Sequence, residues 1–270
     1  NGLTSFDSDG FQVTGGSGYA VNTSSATYAA WNWKAPTSSN LTATGARSIA
    51  TTSKVNVDAG FEIITYTGSG TAGNTIGHSL GKAPDLMIGK NRTDDEGWWI
   101  YHNPEVNEAY KISFDTAAKV SNNTTLNNTA PTSSIITLGN DNRVNANGDN
   151  YLIYAFVSVD GYSKFGSYTG NGNADGTFVY TGFRPAFVMI KNTASSGTHW
   201  IIWDKNRSGY NDDNLPLYAN LSNGEGSGGS VDLTSNGFKL RTTSSLRNES
   251  GSNFIYLAFA ETPFKYSNAR

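Results

Sequence analysis

Asn150–Phe156, with the sequence Asn-Tyr-Leu-Ile-Tyr-Ala-Phe, returns almost unchanged as Asn253–Phe259, with the sequence Asn-Phe-Ile-Tyr-Leu-Ala-Phe. Both segments are short runs of β-branched and aromatic residues, which favour β-strands. Neither alternates between apolar and polar residues, so we expect each strand to be covered on both faces. The two copies lie 253 − 150 = 103 residues apart, which indicates an internal repeat.

Further blocks recur on either side of these segments, in the same order and with nearly the same offset. The matching pairs are Tyr66–Gly70 with Tyr168–Gly172, Ala83–Asn91 with Arg184–Asn192, and Trp98–His102 with His199–Asp204. Four ordered blocks are very unlikely to arise by chance. Because a repeat of about 100 residues has the size of a domain, we expect tandem domains and not a solenoid.

A partial third copy opens the chain, since Asp9–Val13 resembles Asn236–Leu240 and Thr27–Trp31 resembles Asn150–Tyr154. We expect this orphan half to complete a sheet in the first full unit or in a neighbouring subunit. The missing front half suggests a fragment or mature product of a longer polypeptide. The predicted organisation is an orphan half-repeat at 1–35, a Ser/Thr-rich linker at 36–58, a first full repeat at 59–160 and a second at 161–270.

The expected fold is all-β, with two tandem jelly-roll-like (lectin-like) β-sandwich units and the N-terminal half-repeat. Short apolar runs are separated by turn signals such as Asp160-Gly161 and Asn236-Gly237, a spacing typical of sandwiches and barrels. The connection Val159–Ser163 is too short to be a free linker. We therefore expect the two units to pack against each other.

Composition narrows the class of protein. The formal net charge is −3 and no basic run is present, which argues against nucleic acid as a partner. No apolar run is long enough for membrane insertion, and the absence of cysteine excludes disulfides and thiolate metal sites. Abundant Ser, Thr, Asn and Gly with few charges is typical of extracellular and viral surface proteins.

Catalytic motifs are not recognisable, and we predict no enzyme, no catalytic residue, no cofactor and no metal site. His78, His102 and His199 belong to no G-x-S-x-G or H-E-x-x-H arrangement. The carboxylates of Asp94–Glu96 and of Asp212-Asp213 favour turns, although a glycosidase pair and Ca²⁺ binding in loops stay open as alternatives.

The aromatic strand of each repeat is the main candidate for ligand contact. Side chains alternate along a strand, so one set should fill the core while the other could form a sugar-binding platform. The predicted contact residues are Trp99, Tyr101, His102, Trp203 and Asp204. The alternative is that both sets are buried, the outer one by neighbouring loops or a subunit.

These blocks resemble a repeat found in tailed-phage structural proteins, namely the uncharacterised repeat domains of tail-fibre-like proteins of marine and cyanobacterial phages. The resemblance covers roughly residues 60–270. It is carried by Gly77–Gly81, Ala83-Pro84, Met87–Arg92, Trp99–His102, Asn128–Ser134, Gly161–Tyr168 and Ala258–Tyr266. It implies a virion-surface or extracellular location and a homo-oligomer, usually a trimer, or assembly with other virion proteins.

Three functional hypotheses follow from the sequence. The first is a virion-surface, tail-fibre-like protein that adheres to a host surface glycan or receptor through several weak sites, strengthened by avidity. The second is a purely architectural spacer, decoration or fibre-forming protein, in which the aromatic strand lies wholly inside. The third is a glycan depolymerase, which requires two carboxylates facing each other across a groove.

Overall fold

The structure is a computed structural model and describes residues 2–8, 10–14, 21–208, 211, 215–228 and 231–262. Nearly all of its regular structure is β, and the predicted all-β sandwich class is confirmed. The three helices are single turns: α1 (Asn142–Asn145), α2 (Lys205–Ser208) and α3 (Ser245–Asn248).

Twenty strands are described. They are β1 (Leu3–Phe6), β2 (Phe11–Val13), β3 (Thr37–Leu41), β4 (Thr51–Asn56), β5 (Phe61–Thr67), β6 (Thr75–Gly77), β7 (Leu86–Asn91), β8 (Trp99–His102), β9 (Tyr110–Ser113), β10 (Val120–Ser121), β11 (Ile135–Thr137), β12 (Asn150–Phe156), β13 (Ser163–Thr169), β14 (Phe178–Tyr180), β15 (Pro185–Asn192), β16 (Ile201–Asp204), β17 (Leu217–Tyr218), β18 (Val231–Thr234), β19 (Gly237–Leu240) and β20 (Asn253–Ala260).

The internal contacts of the chain divide it into two units, residues 1–33 and 34–270. The first unit contains the antiparallel hairpin β1–β2, in which Phe6 faces Phe11. This hairpin has the form of β18–β19 in the last repeat, where Thr234 faces Gly237. Residues 27–31, which align with strand β12, form no strand.

Within residues 34–270 the large sheets of the two repeats share a run of five strands in the same order. The first repeat contains an eight-stranded sheet in the order β10-β9-β8-β7-β12-β5-β4-β3, and the second a five-stranded sheet in the order β13-β20-β15-β16-β17. The shared part is the run β5-β12-β7-β8-β9, which corresponds strand for strand to the five-stranded sheet. A small second sheet completes each sandwich: β11-β6 in the first repeat and β14-β19-β18 in the second.

Each sandwich encloses its own apolar core between the large and the small sheet. In the first repeat the core joins Ile76 and Ile136 of the small sheet to Trp99 and Ile153 of the large one. In the second repeat Phe238 of the small sheet packs into a core with buried apolar side chains of the large sheet. Each sandwich therefore uses only one face of its large sheet, so the other face must be covered elsewhere.

Residues 36–58, expected to be a linker, instead contain β3 and β4. These strands extend the large sheet of the first repeat, because β4 pairs with β5 from Thr52↔Thr65 to Asn56↔Phe61. β4 alternates between buried and exposed residues, with Thr51, Ser53 and Val55 inward. Composition alone suggests a loop here, but Thr and Val, which are both present in β4, are also favoured in half-buried strands.

Candidate functional site

Three of the predicted contact residues lie in the sandwich cores. Trp99 is 1% exposed and Tyr101 5%, both within the core of the first repeat, and Trp203 is fully buried in the second. A Cβ added to Gly89 would clash with the Trp99 ring, so glycine is needed on the neighbouring strand for the indole to fit. These aromatic rings have no surface to offer a ligand.

The other two predicted contact residues, His102 and Asp204, occupy equivalent ends of the aromatic strand and are also buried. Asp204 accepts hydrogen bonds from Asn206 N at 3.1 Å and Arg207 Nε at 2.7 Å, which fix the following helical turn. His102 Nε2 lies 3.2 Å from the carbonyl oxygen of Tyr256 in the other repeat. The predicted contact set therefore has to be corrected, because all five side chains are enclosed by the protein.

The second faces of the two large sheets pack against each other, and we call this contact the seam. Phe156 of the first repeat lies 5.5 Å from Phe165 and 6.2 Å from Phe259 of the second, measured between ring centroids. Phe114 meets Trp200 edge-to-face at 4.8 Å. Aromatic side chains that an isolated sandwich would expose are thus buried between the repeats, which is why strands such as β12 and β20 lack alternation.

Polar contacts close one side of the seam. Glu105 accepts hydrogen bonds from Lys119 Nζ at 2.5 Å and from Thr193 Oγ1 at 3.1 Å. Backbone bonds also cross between repeats, from Lys119 N to Thr193 O at 2.9 Å and from Gly197 N to Thr116 O at 2.8 Å. Backbone pairing fixes register as well as distance, so the two repeats are held in one defined orientation.

The carboxylates of Asp94–Glu96 belong to a loop between β7 and β8. The main-chain carbonyls of Asp94 and Glu96 accept from Lys90 Nζ, which ties this loop to its own strand. Asp212 and Asp213 lie outside the described residues. Within the described ranges, no group of three or more acidic or histidine side chains is arranged to hold a metal ion. No helix described here has the length and apolar character to span a bilayer.

An open cleft of about 540 Å³ lies at the edge of the seam. Trp98 and Phe114 of the first repeat form one wall, and residues 219–222 of the second repeat form the other. Trp98 is half-buried and stacks on Tyr154, with ring centroids 6.3 Å apart and planes 13° apart. The Asn220 side chain is held by Trp200 N, which donates to its Oδ1 at 3.0 Å. Because side chains alternate along a strand, Trp98 points to the face opposite that of Trp99. Alternation alone does not show which of the two faces stays open.

Residues 1–263 match a family described as a domain of unknown function (DUF7483). The chain belongs to this family. No curated protein and no solved structure matches it. The DUF7483 match spans both repeats and the opening half-repeat, so the repeated architecture described above lies within a single family domain.

In this DUF7483 chain the free energy of unfolding should fall in acid because of His102, which lies at the seam. Burial lowers its pKa from 6.5 to about 4, although the Tyr256 carbonyl opposes this shift. Between these pH values the unfolded chain binds a proton that the folded chain does not. The free energy of unfolding should therefore decrease as the pH falls from 6.5 towards 4. The contribution of His102 to this decrease is about 3 kcal/mol.

Urea unfolding across that pH range would measure this loss, with His102→Gln as the test variant. The glutamine amide can still donate to Tyr256 O but does not titrate, so the variant should show a shallower pH dependence. Burial also lowers the pKa of His78, so part of the slope should remain. An unchanged slope in His102→Gln would contradict the assignment.

Proposed function

We propose that this chain is a virion-surface structural protein of the tail-fibre-like kind that its repeats resemble, and that its main role is architectural. The observation that carries this proposal is the burial of the aromatic strand in both repeats. One face of that strand fills a sandwich core, and the other faces the seam. An adhesin using this strand would need at least one of those faces open.

The seam supports the same role. Two sandwiches joined by a flexible linker would move independently, whereas these two share buried aromatic rings and backbone hydrogen bonds. Such a pair can transmit force and keep its ends at a fixed separation. Both properties suit a spacer or fibre segment, and neither requires a bound ligand or a catalytic group.

The proposal is tested by locating the protein. An antibody raised against the purified chain should label the outer surface of particles of the virus that encodes it, as seen by immunogold electron microscopy. Pre-incubation of the antibody with purified chain should remove the label. Label that is absent from intact particles, while the protein is detected in infected cells, would contradict the proposal.

Adhesion to a host surface glycan or receptor is a second candidate, and it is supported by the cleft, since the aromatic strand is buried. Trp98 offers a partly exposed indole, and Asn220 and Ser222 offer polar groups across from it. An apolar sugar face could stack on the ring while its hydroxyls bond the amide and hydroxyl. Concave sites with an aromatic wall and a few placed polar groups are typical of small-ligand binding.

If the cleft binds glycan, Trp98→Ala should weaken binding at least about tenfold, equivalent to about 1.4 kcal/mol. Binding would be followed by titration of soluble host polysaccharide into the purified chain. Tyr28→Ala is the matched control, because Tyr28 is an exposed aromatic residue in the N-terminal unit. Equal binding by wild type and Trp98→Ala, or no saturable binding at all, would leave only the architectural role.

A further inference from the structure

The outer edge of the large sheet is covered in the first repeat. Strand β4 lies beside β5, and β3 lies beside β4, so residues 37–56 form a cover over this edge. The cover also reaches the small sheet, because Ser48 N and Ile49 N both donate to Thr75 O at 3.0 Å. Arg47 and Leu41 lie so close to Gly77 that a Cβ there would contact them at 2.5 and 2.7 Å.

In the second repeat no described strand pairs along the equivalent edge, that of strand β13. The segment before β13 is β12, which is paired on both sides within the first repeat. From that side β13 is reached by the isolated bridge Val159↔Ser163. In addition, Phe165 N donates to Ser158 Oγ at 3.2 Å, and Thr169 O accepts from Thr177 Oγ1 at 2.8 Å. Among the described residues, therefore, no strand takes the position beside β13 that β4 takes beside β5.

Register shows which backbone groups this leaves open. Gly170 N donates to Ser252 O, and Ala260 N donates to Tyr162 O, so even-numbered residues of β13 bond to β20. In an antiparallel ladder the alternate residues point the other way, so Ser167 directs its N–H and C=O away from the sheet. Its counterpart Thr65, 167 − 65 = 102 residues earlier, uses the same groups to pair with Thr52 of β4.

A pocket of about 300 Å³ lies beside this open edge. The equivalent place in the first repeat is occupied by side chains. There, Glu62 accepts from Ser53 Oγ of β4 and from Ser79 N, both at 2.7 Å. The counterparts of Glu62 and Ser79 are Lys164 and Gly182, at offsets of 164 − 62 = 102 and 182 − 79 = 103. Both line the pocket. The pocket thus lies in the second repeat at the place that Ser53 of β4 fills in the first.

On the outer face of the small sheet, the second repeat also has exposed aromatic side chains. Tyr180 is 57% exposed and Phe178 44% exposed, whereas the corresponding part of the first repeat lies under residues 41–49. The Lys164 ammonium lies over the Tyr180 ring at 5.3 Å. Lysine often protects an exposed sheet edge, but here it is directed towards the ring, and the exposed side chains of β13 are Ser167 and Thr169.

We infer that the open edge of β13, with its pocket and the exposed Tyr180, is a docking surface for strand β3 of a second copy of this chain. β3 is itself a terminal strand of the eight-stranded sheet. Because Ser39 pairs with Ser53 across to β4, the alternate residues Ser38 and Asn40 direct their backbone groups outwards. Docking would join the large sheets of two copies into one continuous sheet.

The chemistry of β3 fits this site. Its sequence, Thr-Ser-Ser-Asn-Leu, carries no charge and has the hydroxyl-rich character of β4, which covers the same edge in the first repeat. A hydroxyl from β3 can accept a hydrogen bond from Lys164. In the first repeat the residue equivalent to Lys164 is Glu62, whose carboxylate accepts a hydrogen bond from a hydroxyl of β4. Pairing β13 with a second β13 would instead bring two Lys164 side chains to one face of adjoining strands.

The joined edges differ from each other, so the contact is heterologous and leaves β3 of one copy and β13 of the other free at the ends. Heterologous contacts that do not close give open filaments. The inference deepens the proposed architectural function and rests on it for its biological meaning. Its structural basis is the difference between the two sheet edges.

Sedimentation velocity of the full chain over a wide concentration range tests the inference, with Ser167→Pro and Ser38→Pro as variants. Each proline removes an outward N–H that bonds nothing within the described chain, so both variants should keep their far-UV circular dichroism and melting temperature. Wild type should form species that grow with concentration, and each variant should remain monomeric. A mixture of the two variants should form dimers and nothing larger, because one variant keeps β3 and the other keeps β13.

Ser167→Lys provides a variant with an unaltered backbone, and it should also lose assembly. A wild-type protein that stays monomeric at every concentration would overturn the inference. So would a Ser38→Pro protein that assembles as wild type does, because another edge would then be responsible. Monomeric protein whose antibody still labels particles would overturn only this inference, whereas normal assembly without particle labelling would overturn only the proposed function.

Discussion

Replacing Trp203 by alanine should lower the free energy of unfolding by about 3–5 kcal/mol, the range expected when a large aromatic side chain is removed from a packed core. Trp203 is fully buried and belongs to the core of the second repeat. The guanidinium carbon of Arg247 lies 5.9 Å from its ring centroid, so the substitution also removes a cation–π contact from a buried arginine. A well-packed sandwich cannot collapse to fill this volume.

Guanidinium chloride unfolding followed by far-UV circular dichroism would measure the loss, since that signal does not depend on tryptophan fluorescence. Trp203→Phe keeps most of the ring volume and should recover much of the stability. Trp98→Ala is the matched comparison, because Trp98 is only half-buried at the edge of the seam. A Trp203→Ala variant as stable as Trp98→Ala would show that the core assignment is incorrect.

The repeat was readable from sequence because the residues that define it are structural. Tyr66 and Tyr168 each stack on an aromatic ring of the adjacent strand, at 5.1 and 4.8 Å, and each hydroxyl donates to a carbonyl oxygen in a helical turn. Such a residue cannot change without loss of two contacts. Blocks of this kind therefore stay similar between copies, and they locate strands and turns well.

Sequence could not show which face of the aromatic strand would be covered. Alternation assigns Trp99 and Tyr101 to one face and Ile100 and His102 to the other. In the structure Trp99 and Tyr101 belong to the sandwich core, while His102 contacts the other repeat. The second face is buried only because another repeat packs there, through contacts such as Trp200 Nε1 donating to Ser113 O at 2.8 Å. A partner 87 residues away in the chain has no local signature.

Residues 27–31 and strands β3 and β4 show the same limit of prediction from local sequence. β3 and β4 form where composition predicted a linker, because β5 offers them an edge to pair with. Residues 27–31 resemble β12 in sequence yet form no strand, whereas β12 itself lies between β5 and β7. Strand formation in both cases depends on a neighbouring strand, which the local sequence does not encode.

Replacing Asn248 by leucine should lower the free energy of unfolding by about 4 kcal/mol. The substitution leaves the buried polar groups that Asn248 bonds without partners, and each such group costs about 1–3 kcal/mol. Asn248 is fully buried, and its Oδ1 accepts from Asn171 N at 2.9 Å. Its Nδ2 donates to Asn173 O at 2.9 Å and Thr242 O at 2.8 Å. One side chain thus joins three turns that otherwise have no common secondary structure.

The first repeat provides a replicate of this experiment. Asn145 Oδ1 accepts from Ser69 N at 2.8 Å, and its Nδ2 donates to Thr71 O at 2.9 Å and Gly139 O at 2.8 Å. Asn145→Leu should therefore cost about as much as Asn248→Leu, while Asn223→Leu, on an exposed residue, should cost little. If both buried variants unfold at the same denaturant concentration as Asn223→Leu, these bonds contribute nothing to stability. A large loss in both would explain why this asparagine is present in each copy: it organises the turns between strands, where no β-ladder can.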